Sequence, residues 1–555
     1  MFPPDPKKKD GFYKEDTYRK AQELYPSVVK LIEKKAEENQ DRPWIIFKER
    51  TYSYKETNNI STRIASGLLR IGAKSGDRIA IYAMNSPEWI FSYLGILKAG
   101  CIPVTVNTGF IKDLLIYNIS MPESRFLFLD SRLATNYSAV KDSLPSVENV
   151  ILIGGENNPK VNFKNMQTFE NLLSRPETVI DPDLKGYDPA AMILTSGTTG
   201  KSKVVVESNA QFIVTALDMI DAGGVSSDSI VYVYLPLFHI MALDLAAISS
   251  MMANATMILV EKFDPVNFWN DIKKYKVTHF HAVGPIFEVL IKQPESIDEK
   301  EHGNIIAIAY SSKEIWEIAE RRFNIHITGG YGGTEAGIPV TSPYSDVVKG
   351  INPPGSCGKP APPFQVEIQN SLGYPVKAGE TGEIVIRPRL PYVTFLEYYK
   401  MPDATVNAFK GLWFHTGDLG RYDKNGNIYF VDRAKDSIRR RGENISSFEV
   451  EQILLKMDRV RDVAVYPAFN GHDEEVMVAM VLGVPELPPE EVIDFCLDNM
   501  PSFWIPNYIL FMNELPKTPT GRTQKYILRE RGITNDTVNM KNYISKKLKE
   551  KKHKT

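Results

Sequence analysis

Through the first 330 residues, apolar positions fall into short β-rich runs separated by helical patterns. Arg78-Ile-Ala-Ile-Tyr-Ala-Met84 reads as a strand, and Asn85-Ser-Pro87 then supplies a cap and a first-turn proline for a helix to about Lys98. Strand-like runs recur at residues 101–106, 126–129, 150–153, 230–235, 257–260, 277–283 and 305–309. Such alternation predicts parallel sheets with helices on their faces. After about residue 350 the texture changes to Pro/Gly turns and hairpins. Gln365-Val-Glu-Ile368 and Glu383-Ile-Val-Ile-Arg387 flank one turn-rich stretch, and the Asn-Gly of Asp423-Lys-Asn-Gly-Asn427 precedes Ile428-Tyr-Phe-Val431. A small β-barrel or meander is expected there. A third block begins near Asp432. Ser446-Ser-Phe-Glu449 reads as a capping box, with Val450, Ile453, Leu454 and Met457 on one face of the helix that follows. The lysine-rich stretch from Lys546 reads as a solvated, mobile tail.

Composition narrows the function classes. The chain has 555 residues, 43% hydrophobic and 24% charged, the balance of a soluble globular protein. Its 66 basic and 68 acidic residues nearly cancel, which leaves no global field for gripping nucleic acid. Cys101, Cys357 and Cys496 lie far apart, neither a disulfide framework nor a CxxC site, which points to a reducing, cytoplasmic setting. Residues 1–10 are rich in Pro and Lys with no apolar core, so no signal peptide is read there. The most apolar stretch, 245–260, is broken by Ser249, Ser250, Asn254 and Thr256. A bilayer span needs about 20 apolar residues.

The strongest chemical signal is Met192-Ile-Leu-Thr-Ser-Gly-Thr-Thr-Gly-Lys-Ser-Lys203. An apolar strand runs into a loop where Gly197 and Gly200 let backbone N–H groups turn inward. Thr195, Ser196, Thr198 and Thr199 add hydroxyls, and Lys201 and Lys203 add charge. This combination suits phosphate oxygens, although the spacing is not that of a Walker loop. Tyr331-Gly-Gly-Thr-Glu-Ala-Gly337 follows a strand-like Ile325-His-Ile-Thr328; its glycines admit a flat ring, and Thr334 and Glu335 offer oxygens suited to Mg²⁺. Trp413-Phe-His-Thr-Gly-Asp418 places a carboxylate after a tight Thr-Gly turn, where it can accept both ribose hydroxyls or serve as a cap. Asp432-Arg-Ala-Lys-Asp436 and Ile438-Arg-Arg-Arg-Gly-Glu-Asn444 concentrate five cations just before Gly442 and a helix start, which favours phosphate contacts over a merely solvated face. His279-Phe-His281 sets two imidazoles on one strand face with no third ligand at useful spacing, so a structural role is favoured over a metal.

Together these segments resemble the AMP-forming acyl-CoA synthetases, the acyl-adenylate-forming superfamily, from Arg50-Thr-Tyr-Ser-Tyr-Lys55 to Pro516-Lys-Thr-Pro-Thr-Gly-Arg-Thr-Gln-Lys525. The texture of Arg439-Arg-Arg-Gly-Glu-Asn-Ile-Ser446 is similar to the carnitine/crotonobetaine–CoA ligase branch. The resemblance implies an α/β fold: a large N-terminal domain (1–431) of two parallel-type βα sheets plus a small β-barrel, a hinge at 432–436, and a small mobile α+β C-terminal domain (437–540) before a basic tail (541–555). It implies an ATP-dependent ligase with Mg²⁺ that converts a carboxylic acid to acyl-AMP, releases pyrophosphate, and passes the acyl group to coenzyme A.

By the same resemblance, Thr195, Ser196, Gly197, Thr198, Thr199, Gly200 and Lys203 would hold the β- and γ-phosphates. Gly330, Tyr331 and Thr334 would border the adenylate, and Glu335 would bind the metal. Asp418 and Arg433 would hold the ribose. His239, Ala309 and Gly333 would line the acyl group, although His239 on its own reads as a satisfied core histidine. Lys435 would be the hinge, and Arg439, Arg441, Gly442 and Asn444 would meet the adenylate or the coenzyme A arm. Lys262 would contact a coenzyme A phosphate. Arg522 stands in the slot of the adenylation lysine, with Lys525 three positions on as a substitute cation. Val204 stands where relatives carry Gly, and Tyr310 where they carry a small residue. Arg522 and Val204 motivate a second reading, a weakened adenylate-binding or sensor protein with little turnover. His239 and Tyr310 hint at a small or polar acid. The expected partners are that acid, ATP and coenzyme A, with no nucleic acid and no membrane span; a homodimer is left open.

Overall fold

The computed structural model describes residues 2–154, 163, 165–174, 181–195, 203–296, 298–303, 305–434, 436, 438–440, 443–469, 474–483, 486–517 and 523–552. At Tyr310, Arg439, Arg440, Glu443, Asn444, Lys551 and Lys552 only the backbone is described.

Two large sheets form the first body. One runs, in spatial order, His326–Thr328, Ile306–Tyr310, His279–Val283, Ile230–Val233, Thr256–Leu259, Pro43–Phe47 and Arg50–Ser53, parallel up to its final hairpin. The other runs Glu397–Tyr398, Lys203–Ser208, Pro189–Thr195, Ile102–Thr105, Arg78–Tyr82, Phe126–Asp130, Asn149–Ile153 and Met166–Thr168. Its central strands are parallel and buried, which is why they read as continuous apolar runs. The helix Pro87–Lys98 starts as its sequence foretells: the Ser86 side chain accepts the Trp89 N–H and Pro87 fills the first turn.

Between the sheets lies the helix Asn209–Gly223, every residue of it buried, followed across the sheet by Leu243–Ile248, a wide π-type turn. Apolar residues cover most of that helix, but Asp218 and Asp221 do not. Asp221 is completed by the amino-terminal segment, since Lys9 pairs with it and the Tyr13 N–H donates to it at 2.6 Å. Asp218 and Asp244 are fully buried, and burial foremost holds both carboxyls well above the usual range, hence neutral.

The expected barrel is an open antiparallel sheet, half of a barrel. Phe364–Gln369, Gly382–Pro388, Trp413–Tyr422 and Phe409–Lys410 pair in that order, with Ile428–Arg433 against Trp413–Tyr422. Trp413–Tyr422 corrects the reading of a tight Thr-Gly turn, because Gly417 lies inside a ten-residue strand with φ 72°. The strand stays paired on both edges, but Thr416, Gly417 and Asp418 stand opposite Ile384 alone, a bulge whose middle position needs a φ that glycine adopts without cost.

The C-terminal body is a four-stranded sheet (Val460–Phe469, Glu474–Leu482, Tyr508–Met512, Val538–Asn539) covered by helices, with a hairpin of Ile438–Arg440 and Glu443–Ile445 at its entrance. Ser446 caps Ser447–Leu454 by accepting the Glu449 N–H, and Val450 and Leu454 are buried as their spacing requires. Where a free basic tail was expected from 541, the chain is helical over Lys541–Lys552. Ile544 is buried, and Lys547 lies 3.0 Å from Asp494. No helix among the described residues is long and apolar enough to cross a membrane.

Candidate active site

The phosphate-loop candidate is the connection of a β-hairpin. Pro189–Thr195 and Lys203–Ser208 pair antiparallel, and Thr195 lies opposite Lys203 in register. Ser196, Gly197, Thr198, Thr199, Gly200 and Lys201 lie outside the described residues. Val204, the departure at the loop's end, is fully buried among Val104, Leu127 and Val206, so its side chain serves the core.

From Lys203 the site continues through a residue the sequence did not single out. The Lys203 ammonium sits 4.1 Å from the ring centre of Tyr398, a cation–π contact. Tyr398 is placed there because Glu397–Tyr398 adds to the sheet edge, with Tyr398 opposite Val205. Its hydroxyl donates to Glu335 Oε1 at 3.0 Å. Burial first, and the Glu335 carboxylate second, push this phenol well above its usual range.

Glu335 follows the strand Gly330–Gly333, which turns back into Gly337–Thr341. The turn is so close that a Cβ on Gly332 would lie 1.8 Å from the Gly337 carbonyl oxygen. Behind it, Gln211 Nε2 donates to the Thr334 carbonyl at 2.8 Å and lies 3.3 Å from Glu207 Oε1. Glu207 is fully buried; burial and then Glu335 raise its carboxyl well above the usual range, so it is neutral.

With Oε1 held by the phenol, Glu335 Oε2 faces the bare edge of Gly333, 3.7 Å from where a Cβ would stand. A carboxylate with one oxygen fixed and the other beside open backbone suits a hard cation that takes oxygen ligands, so the residues fit Mg²⁺.

On the other side of the hairpin the Tyr331 ring stacks on Phe430, with centroids 6.4 Å apart, and its hydroxyl donates to Asp418 Oδ2 at 2.7 Å. Arg433 Nη1 lies 2.9 Å from Asp418 Oδ1, a pair that strand register creates because Asp418 and Arg433 are directly opposed. Burial and Asp418 together keep the Tyr331 phenol protonated. Gly330, Tyr331, Asp418 and Arg433 are thus brought into one corner.

Gly333 stays beside Glu335, and the other remaining candidates scatter. His239 begins the short helix Ile240–Ala242, with Nδ1 accepting the Met241 N–H at 3.3 Å. Ala309 is buried in the sheet, Gly333 is exposed, and Lys262 is exposed on the surface near Asp264. Arg439 lies opposite Asn444 in the entrance hairpin. Lys435, Arg441, Gly442 and Arg522 lie outside the described residues. Lys525, the substitute cation, is engaged elsewhere: its ammonium is 2.8 Å from Glu451 Oε1 and 2.6 Å from Ser447 Oγ. Burial opposes its charge, yet Glu451, Asp432 and Asp436 carry its pKa above the usual lysine value. It is a structural cation of the C-terminal body.

The description "AMP-binding enzyme" matches residues 32–399, and "AMP-binding enzyme C-terminal domain" matches 449–522. The chain belongs to this family. A crotonobetaine/carnitine–CoA ligase from Citrobacter koseri is 30% identical over 499 residues, 86% of this chain and 93% of its own. An anthranilate–CoA ligase solved with anthranoyl-AMP superposes with a TM-score of 0.82 at 22% identity, over 92% of this chain and 98% of the other. A benzoate–CoA ligase from Burkholderia xenovorans superposes at 0.79 with 22% identity, over 91% and 99%. These two show the fold. The enzyme is an AMP-forming acyl-CoA synthetase, and the resemblance read from its motifs, including the carnitine/crotonobetaine texture, agrees with these relatives.

Proposed function

We propose that the enzyme activates a small or polar carboxylic acid and that the residues gathered above divide the work. The observation that carries this is the single connected unit Lys203–Tyr398–Glu335, which ties the end of the phosphate loop to the metal carboxylate. Thr195 and Lys203 fix the two ends of the loop, with Ser196, Gly197, Thr198, Thr199 and Gly200 supplying donors for the β- and γ-phosphates. Glu335 would hold Mg²⁺, which when bound neutralises phosphate charge. Tyr331, with Gly330 and Thr334, walls the nucleotide, and Asp418 and Arg433 orient the ribose.

In the first half-reaction the acid's carboxylate oxygen attacks the α-phosphorus and the bond to pyrophosphate breaks. Arg522 offers fixed positive charge where negative charge builds. In the second, the thiol sulfur of coenzyme A attacks the acyl carbonyl, AMP leaves with the bonding electrons, and the thiol proton passes to solvent. Lys435 as hinge lets the lid expose Arg439, Arg441, Gly442 and Asn444 to the adenylate or the coenzyme A arm, while Lys262 offers a cation to its phosphate. His239, Ala309 and Gly333 border the acyl group. A cytoplasmic setting belongs to this reading, and the three cysteines are free and buried. The sensor reading is not favoured: the relatives are ligases, and one of its two motives, Val204, is accounted for by core packing.

Pyrophosphate release across a panel of carboxylic acids, with ATP, Mg²⁺ and coenzyme A, tests the proposal. Acid-dependent pyrophosphate and acyl-CoA are expected; nucleotide binding with no turnover on any acid would remove it.

A further inference from the structure

A cavity of about 390 Å³ lies apart from the nucleotide corner, and Ser342, Asp346, Asn352, Lys359, Asn425 and Asn427 supply its polar walls. That volume is in the range of small-molecule sites. Lys203, Tyr331, Glu335 and Asp418 take no part in it. Its floor is polar and already fixed. The buried Ser342 hydroxyl donates to Asn352 Oδ1 at 2.6 Å, and Asn352 Nδ2 donates to the Ile327 carbonyl at 3.3 Å. Asn427, also buried, donates through Nδ2 to Asp423 Oδ2 at 2.9 Å. Asn425 and Ile351 are exposed at the rim, so the cavity opens to solvent.

The two charges on its walls are left unmatched. Among the described residues the Lys359 ammonium has neither an ion pair nor a hydrogen bond, and the Asp346 carboxylate accepts one hydrogen bond, from the Ser345 hydroxyl at 3.2 Å. Lys349, three positions after Asp346, is drawn off to Asp10 at 2.6 Å. Lys359 and Asp346 thus face one space without pairing across it. Such a space matches a ligand that brings one charge of each sign, its carboxylate to Lys359 and its ammonium to Asp346. A ligand with one charge alone leaves the other wall unanswered and meets its like sign there. Pro343, Ile351 and Pro353 give the cavity an apolar side, which suits a short hydrocarbon skeleton between the charges.

Two of the walls lead directly to the nucleotide corner. Lys359 stands opposite Thr341 in register, and Thr341 stands opposite Gly330, the neighbour of Tyr331. Asn427 immediately precedes Ile428–Arg433, the strand that stacks Phe430 on the Tyr331 ring and sets Arg433 beside Asp418. The intervening backbones have no slack. A Cβ on Gly358 would lie 2.2 Å from the Thr341 carbonyl, and one on Gly329 would lie 2.0 Å from the Ser356 carbonyl oxygen. Elements packed this closely pass a displacement on instead of absorbing it. We propose that the cavity is a regulatory site for a small zwitterion, an ammonium and a carboxylate on a short carbon skeleton, and that filling it tightens ATP binding. An occupant held by Lys359 and Asn427 fixes the two strands that wall the nucleotide. The coupling rests on the nucleotide reading above; the binding site does not.

The test is calorimetric titration of the full chain with glycine, valine, 4-aminobutyrate and 5-aminovalerate, beside butyrate and butylamine, which carry one charge each. At least one zwitterion is expected to bind at least about tenfold more tightly than either single-charge probe, the equivalent of one charge-assisted hydrogen bond. At saturation it should lower the Kd for ATP about fivefold, and ATP should tighten the zwitterion by the same factor, because coupling between two sites is reciprocal. Lys359→Met and Asp346→Asn should each weaken the zwitterion at least about fivefold, with ATP affinity in its absence unchanged. Asn425→Trp, which obstructs the rim and keeps both charges, should weaken it as well. None of the three residues is among those placed at the acyl group, so an acid bound there as substrate would be indifferent to these changes. No binding by any zwitterion, or binding that all three variants leave intact, overturns the site. Binding with no shift in ATP affinity overturns its regulatory role. Failure of ATP itself to bind strikes the nucleotide reading instead, while the zwitterion titrations still decide the site.

Discussion

The Lys203 ammonium and the Glu335 carboxylate approach a single side chain from two sides, the cation above the ring of Tyr398 and the anion at its hydroxyl. Removing the hydroxyl alone separates the two roles. Tyr398→Phe keeps the ring beneath Lys203 and frees Glu335 Oε1, so the Mg²⁺ concentration for half-maximal pyrophosphate release should rise about tenfold, the equivalent of one charge-assisted hydrogen bond. Tyr398→Leu should raise KM for ATP as well.

Asp418 is buried and holds two partners, the Tyr331 hydroxyl and the partly exposed Arg433 guanidinium. Asp418→Ala leaves both unmatched, and ATP affinity measured calorimetrically should fall by about 2–3 kcal/mol. Asp418→Asn keeps the shape and one acceptor and should lose less. A larger loss for Asn than for Ala would show that the carboxylate acts by something other than these contacts.

Lys525 sits among Glu451, Asp432 and Ser447. Lys525→Met strands two buried carboxylates, so the urea transition of the C-terminal body should lose about 3 kcal/mol. Arg522→Ala should instead depress acyl-AMP formation without moving that transition. If Lys525→Met abolishes adenylation in a C-terminal body that still unfolds normally, the cation has a direct catalytic part.

Asp244→Asn tests the buried acids through pH. The folded carboxyl is raised and neutral, whereas the unfolded one ionises near pH 4, so wild type loses stability as pH rises above that value. Asn has no such loss. The variant should therefore gain on wild type by about 1.4 kcal/mol per pH unit while the native acid stays protonated, readable from urea midpoints at pH 5, 6 and 7. His281→Leu should show the opposite trend. With a folded pKa of about 3, the wild-type histidine costs nothing at pH 7 and an increasing amount as pH falls below its unfolded value of about 6.5. The variant should gain as the solution is acidified.

The parallel strands and the Ser86–Pro87 helix start were legible because period and capping are local properties of the chain. So was the apolar strand Pro189–Thr195 that leads into the stretch of glycines and hydroxyls. Tyr398 was not: nothing in Phe395-Leu-Glu-Tyr-Tyr-Lys400 says that an edge strand will dock it against residues 203 and 335. Gln211 and Glu207 escaped for the same reason, although a lone acid inside Val204-Val-Val-Glu207 was a signal. Strand pairing also decided Asp418, where a Thr-Gly pair reads as a turn until its neighbours on both edges are known.

The clasp of Lys9 and Tyr13 on Asp221 has a practical side. The family match begins only at residue 32, which makes the preceding stretch look expendable to anyone designing a shortened version for expression. Yet Asp221 belongs to the helix whose first turn carries Gln211, the side chain gripping the Thr334 carbonyl. Clipping the first fifteen residues would leave an acid without its counter-ion at one end of that rod and unsettle the turn that carries Glu335 at the other, so purification tags belong at the opposite terminus.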